Sequence, residues 1–358
     1  MIYTIKNEEL ICTVDSHGCE LKSVKDRPSG KEYMWSGDPA YWNRTSPVLF
    51  PFVGAVRDKE YRHNGATYSI GQHGFARDME FSPVIETLTG SPDASDNAWI
   101  KTGGIKEDSA DASDNAGRNA GGAKEAYSEY STHLHDINAG SKEEIWMELR
   151  ETEETLAKYP FRFCLKIGYR LTGRTVTVMW QVFNTNEEEM YFAIGAHPGF
   201  MLPAGEGCAF KLYDTKGAPA ESIRNRIFGC GGCVTGNTVS MDTPGGMLPI
   251  TEKLFDGDAL VLEDYQLGRV DIISSDTEGS EDKRTVPLSE ATAVSVKFTS
   301  PLVGLWSPPH KNAPFVCIEP WYGRCDAEGF TGELKDREYE QMLKPGEDFR
   351  AEYTISFG

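Results

Sequence analysis

Apolar and polar residues alternate along much of the chain. Phe161, Phe163, Leu165, Ile167, Tyr169 and Leu171 take one face of a predicted strand, with Arg162, Lys166 and Arg170 opposite. Residues 175–183 repeat the pattern through Val176, Val178, Trp180 and Val182, and Thr172-Gly173-Arg174 joins the two runs tightly. This predicts an antiparallel hairpin. At the end of the chain Phe349, Ala351, Tyr353, Ile355 and Phe357 alternate with Arg350, Glu352, Thr354 and Ser356, as expected of a strand tied into a sheet. Shorter candidates fall at 9–14, 21–25, 31–35, 144–150, 293–298 and 304–306. Residues 60–70 read as a hairpin in which Asn64-Gly65 supplies the positive φ angles of a type I′ turn. Helical signal is confined to a turn or two at 152–158. The expectation is an all-β protein, 1–358 forming one large domain with few short helices.

Two stretches interrupt the pattern, at about 87–142 and 274–290. Ser, Asp, Asn, Ala and Gly dominate the first, and Asp93 to Ala98 nearly repeats in Asp111 to Ala116. Such composition cannot bury enough apolar surface to offset its ordering entropy. Both are read as polar acidic insertions. His133, His135 and Asp136 lie in the first, where a surface metal site is the minor reading.

The net charge of -19 argues against nucleic acid or an anionic membrane surface as a partner. No run approaches the roughly 18 apolar residues needed to span a bilayer. Met1 to Leu10 lacks a basic region followed by an apolar one. The eight cysteines are scattered, which fits free thiols in the reducing cytoplasm. Cys230-Gly231-Gly232-Cys233 has a metal or redox spacing, but no second pair stands at a zinc-ligand interval and no βαβ pattern surrounds it. Neither a metal nor a cofactor is expected.

Several segments carry candidate chemistry. Residues 191–200, Tyr-Phe-Ala-Ile-Gly-Ala-His-Pro-Gly-Phe, form an apolar run ending at His197, and Pro198 holds that histidine extended. In 314–321 another apolar strand ends in Glu319 followed by Pro320, beside Trp321 and Tyr322. A carboxylate there is costly to bury without a partner or a task, and a rim pairing with Arg324 is the structural alternative. Arg44 adjoins the proline-bracketed apolar patch 47–54, as a surface residue or a fork for ligand oxygens. Gln72-His73-Gly74-Phe75-Ala76-Arg77 places His73 and Arg77 on one glycine-flanked loop, which could equally be capped by an Arg77–Asp78 ion pair. Asp256 and Asp258 precede a strand, as turn residues or as ligands.

In this order Asn43-Arg44, the Gln72 to Arg77 run, the Gly195 to Phe200 run and Cys317-Ile318-Glu319-Pro320-Trp321 resemble the aldose 1-epimerase (galactose mutarotase) family, in particular its bacterial LacX-like branch. The resemblance spans nearly the whole chain except the insertions. It implies a large antiparallel β-sandwich of the supersandwich type with a sugar cleft on its concave side. By that resemblance His197 is the general acid and Glu319 the general base. Arg44, His73 and Asp258 hold sugar oxygens, Asp256 being the rival to Asp258. Arg77 and Trp321 are further contacts. The implied activity is a cofactor-free interconversion of the α and β anomers of an aldose, by a monomer or homodimer whose partner is a small sugar. Two alternatives remain open here: a hexose-6-phosphate 1-epimerase, with Arg77 and Arg324 as phosphate contacts, and a non-catalytic carbohydrate-binding protein.

Overall fold

The computed structural model describes residues 1–84, 143–203, 207–274 and 291–358, and these belong to one compact unit. The predicted insertion at 87–142 and most of 274–290 lie outside the described residues, as do His133, His135 and Asp136.

Two large antiparallel sheets carry the architecture. One is nine-stranded. It contains the predicted hairpin, Phe163–Thr172 and Thr175–Asn184, joined by a two-residue turn with Thr172 opposite Thr175. The terminal strand Asp348–Phe357 pairs with the second arm of that hairpin, as the alternation required. The other sheet is eight-stranded and contains Ser222–Phe228, Leu260–Leu262, Leu302–Trp306, Phe315–Tyr322, Ile194–Ala196 and Val48–Leu49 in that spatial order, with Gly199–Met201 also paired to Phe315–Tyr322. A single core joins the sheets. Leu165, Ile167, Val176, Val178 and Trp180 come from the first, and Val303, Leu305, Val316 and Ile318 from the second. The fold is the large antiparallel β-sandwich expected from the sequence.

Alternation then decides which residues leave the core. On Phe315–Tyr322 the even positions Val316 and Ile318 enter the main core, so Phe315, Cys317, Glu319 and Trp321 project from the opposite face of the sheet. The sheet is shaped to receive them. Trp321 is register partner of Gly195 on one neighbouring strand and of Leu302 on the other. A Cβ on Gly195 would lie 2.6 Å from Cδ1 of Trp321, and one on Gly304 would lie 2.5 Å from its Cη2. The indole therefore lies across two glycines.

The smaller elements follow their local chemistry. Asn64 (φ 49°) and Gly65 (φ 76°) make the expected turn between Glu60–His63 and Ala66–Ser69. Thr152 caps the one α-helix among the described residues, Glu153–Lys158, with its side chain accepting from the Thr155 N–H. The strand predicted at 31–35 is reduced to bridges at Glu32 and Met34, with Tyr33 donating to the Val24 carbonyl and accepting from the Met201 N–H, and Trp35 donating to the Gly199 carbonyl.

Candidate functional site

A cavity of about 310 Å³ opens on the face from which Glu319 projects. That is the small end of the range for small-molecule sites, about 300–1,000 Å³. Its walls include Trp42, Gln72, His73, Arg77, His197, Asp258, Trp306, Glu319 and Trp321. A second cavity of about 600 Å³ uses the other residues of the same loop, Gly71, Gly74, Phe75 and Asp78, together with the helix Glu153–Lys158. It lacks the buried acid–base groups of the first.

His197 follows the strand Ile194–Ala196, and Glu319 lies mid-strand in Phe315–Tyr322, the next strand in the sheet. Their side chains meet, His197 Nε2 lying 3.4 Å from Glu319 Oε2. Glu319 is only 1% exposed, so it is not the rim carboxylate of the structural alternative. Neither of its oxygens has a hydrogen-bond partner within the protein, and nor has His197 Nδ1. The imidazole is held between two indoles, stacked on Trp42 (centroids 4.7 Å, 29°) and edge-on to Trp306 (5.2 Å, 84°). Burial pulls His197 down to about 3, and the guanidinium groups of Arg77 and Arg44 act in the same sense. Burial, reinforced by the charge of Asp258, holds Glu319 well above the usual carboxylate range. Both shifts act in the same sense, favouring the neutral form of each partner.

His73 is pinned twice to Gly54. Its N–H donates to the Gly54 carbonyl (2.9 Å), and its Nδ1 accepts from the Gly54 N–H (3.0 Å). A neutral imidazole has one donor nitrogen and one acceptor, so Nε2 carries the proton. The Gln72 amide 3.2 Å from Nε2 must then present its oxygen, an orientation fixed by this network. Burial keeps His73 well below its ordinary value, and the charges of Arg77 and Arg44, with that of His197 when it is protonated, add to this. Gly74 allows the loop to sit this close, since a Cβ there would lie 2.3 Å from the Phe50 carbonyl oxygen.

Asp258 stands on the cavity wall with φ 83°, its Oδ1 accepting from the Ala259 N–H at 2.8 Å. Asp256 is paired instead with exposed His310 at 3.0 Å. Arg77 reaches the cavity and donates to the Gln72 carbonyl at 2.8 Å, while its buried Nε has no hydrogen-bond partner. Arg44 stands behind the wall, bound to Asp78 at 2.6 Å, and acts on both histidines through its charge. Its loop is fixed from below by buried Glu20, which accepts from the Thr45 and Ser46 N–H groups at 2.6 and 2.8 Å.

Arg324 is neither a partner of Glu319 nor a cavity residue. It is buried against Glu263 (2.7 Å) and bonded to Glu338. Beside it Arg337 pairs with Asp326 (2.7 Å) and Glu340 (3.1 Å). Sequence reasoning missed Trp42, Gln72 and Trp306 as wall residues. Trp306 carried a usable signal, since it ends a strand ahead of Ser307-Pro308-Pro309 just as His197 ends one ahead of Pro198. Among the described residues no helix is long and apolar enough to cross a membrane, and all eight cysteines are free thiols.

Comparison with known proteins agrees with this architecture. The chain is 25% identical over 366 residues to the chromosomal Protein LacX of Lactococcus lactis subsp. lactis, covering 99% of each. A galactose mutarotase related enzyme from Lactobacillus acidophilus matches with 27% identity and a TM-score of 0.74, over 100% of this chain and 97% of that one. A galactose mutarotase-like protein from Lactobacillus casei ATCC 334 shares the fold at 22% identity and the same TM-score, over 100% of both chains. The family model described as aldose 1-epimerase matches residues 121–356. With two thirds of its length matched by that model and relatives aligned from end to end, the chain belongs to the aldose 1-epimerase family, in its LacX-like branch.

Proposed function

We propose that the protein interconverts the α and β anomers of a free aldose by acid–base opening and closure of the ring. The observation that carries this reading is the buried contact between His197 and Glu319, whose unpartnered polar atoms face an aromatic-walled cavity. Ring opening needs a base to take the proton of the C1 hydroxyl and an acid to protonate the ring oxygen. Rotation about C1–C2 by about half a turn and closure, with the roles reversed, give the other anomer. A pair holding one proton supplies both functions and returns to its starting state after each cycle.

Glu319 takes the C1 proton and His197 serves the ring oxygen. Sugar hydroxyls donating to the bare Glu319 oxygens favour the carboxylate, and the proton then moves to Nε2 across the 3.4 Å contact. Arg77 and Asp258 bind further oxygens, His73 does so once its Nε2–H exchanges the Gln72 oxygen for one of the sugar's, and Trp321 offers an apolar face to the ring. Arg44 orients Arg77 through their shared partner Asp78. The involvement of Arg324 in a buried ion cluster favours a free sugar over a 6-phosphate. Free thiols agree with a cytoplasmic location.

The test is the anomer equilibration of freshly dissolved α-glucose, α-galactose and their 6-phosphates, followed by polarimetry or NMR exchange. The wild-type protein is expected to exceed buffer on a free sugar, and His197→Ala and Glu319→Gln to lose about 10²–10⁴-fold. A wild-type rate equal to buffer on every sugar overturns the reading.

A further inference from the structure

We infer that His197, Cys317 and Glu319 form a binding site for a thiophilic divalent cation of the zinc class, which inhibits the protein by occupying the acid–base pair. One donor atom from each of the three residues lies within 4.8 Å of the other two, and all three residues are buried. The placement follows from the strand. Cys317 and Glu319 are two residues apart on Phe315–Tyr322 and so share a face, and His197 comes to them from the end of the adjacent strand.

The donor set suits the ion. Sulfur, imidazole nitrogen and carboxylate oxygen are the three zinc ligand types, with bonds of about 2.0–2.3 Å that set neighbouring donors about 3.3–3.6 Å apart in a tetrahedron. The His197 Nε2–Glu319 Oε2 distance of 3.4 Å already meets this. The Cys317 donor lies within 4.8 Å of both, so the ion would draw the thiolate in to bonding distance. A thiolate and a carboxylate together cancel the charge of a dication, so the buried centre ends neutral, which is the condition for keeping charge out of water. The independent pointer to a ligand is Glu319, a buried carboxyl whose two oxygens find no hydrogen-bond donor in the protein. The fourth coordination position faces the cavity, because His197 and Glu319 both line it. Binding forms bonds from the metal to S, N and O, and releases the thiol proton, with the carboxyl proton where present, to solvent.

The cation and a sugar need the same two side chains. The inhibitory consequence rests on the reaction proposed above, whereas the binding does not. The probe is cadmium chloride, with zinc chloride in parallel, added to the full-length protein. Cadmium is expected to give a thiolate charge-transfer absorption saturating at one equivalent. It should slow anomer exchange competitively with sugar, and a chelator should reverse it. Cys317→Ser should lose the absorption and bind cadmium at least about 100-fold more weakly, since even outer-shell partners of a metal are worth 10–100-fold. Its anomer exchange, measured against its own metal-free rate, should resist the ion. Cys317→Ala serves if the serine hydroxyl is not tolerated, and Cys230→Ser should leave the absorption intact. An absent absorption overturns the site. So does an absorption that survives in Cys317→Ser or Cys317→Ala, or one that vanishes in Cys230→Ser. Cadmium bound through Cys317 in a protein that anomerises no sugar upholds the site and sinks the proposed reaction instead.

Discussion

Among the described residues, two clusters of buried ionisable groups are built in opposite ways. Around Arg324 and Arg337 nearly every charge meets its opposite. Arg324 binds Glu263 and Glu338, Arg337 binds Asp326 and Glu340, and Asp326 also accepts the Arg57 N–H at 2.8 Å. In the cavity Glu319 and His197 are charge partners only of each other, and the Glu319 oxygens and His197 Nδ1 have no hydrogen-bond partner in the protein. The first arrangement satisfies its members within the fold, and removing one leaves a charge stranded. The second leaves hydrogen-bonding capacity for something that arrives later. Satisfaction of hydrogen bonds therefore separates scaffold from site more cleanly than burial, since both clusters are buried.

The sharpest test of that contrast is Glu319→Gln. The rate of anomer exchange should fall by about 10²–10⁴-fold while the melting temperature stays level or rises, because a poorly solvated carboxyl is removed. A large loss of stability would place Glu319 with the scaffold. The mirror experiment is Arg337→Ala, which leaves Asp326 and Glu340 unneutralised. Urea unfolding should show a loss of about 3–5 kcal/mol, with turnover per folded molecule unchanged.

Glu340 is the soft point of the paired cluster, since its Oε1 has no partner. Burial pushes its carboxyl up to about 7 against the opposing charge of Arg337. A raised folded-state value contributes stability that is fully present below the ordinary value of 4.5 and is lost as pH rises through about 7. The stability of Glu340→Gln relative to wild type should therefore climb between pH 5 and pH 8, by at most about 3 kcal/mol. A flat difference would show that Arg337 keeps Glu340 ionised throughout. The smallest effect is expected from Gly304→Ala. Its methyl would meet Trp321, costing about 1–3 kcal/mol by overpacking and raising KM as the indole shifts.

The β architecture was legible because period-two patterning at 161–183 and 349–357 is a direct consequence of one buried face. His197 and Glu319 were legible because each combines an apolar run, one ionisable residue and a proline. The limits had equally physical causes. Two aspartates two residues apart could not be ranked until the backbone, at φ 83°, turned Asp258 to the cavity and left Asp256 to His310. A rim pairing of Arg324 with Glu319 is the structural alternative in the sequence because the two are close in the chain. The fold gives Arg324 a different partner, Glu263, 61 residues away. Arg44 shows the same lesson from the other side, since its guanidinium is bound by Asp78, 34 residues on, and acts through charge from behind the wall. Trp42 stood two residues before Arg44 without a pattern to mark it. What places it is its stacking on an imidazole from a distant strand.

That stacking has an optical consequence. Three of the seven tryptophans, Trp42, Trp306 and Trp321, line the cavity, and two of them are in ring contact with His197. Indole emission is quenched by a protonated imidazole and shifts when water at its face is replaced. The molecule therefore carries its own fluorophores at the point where a proton is expected to move, and occupancy of the cavity can be read from intrinsic emission without a label.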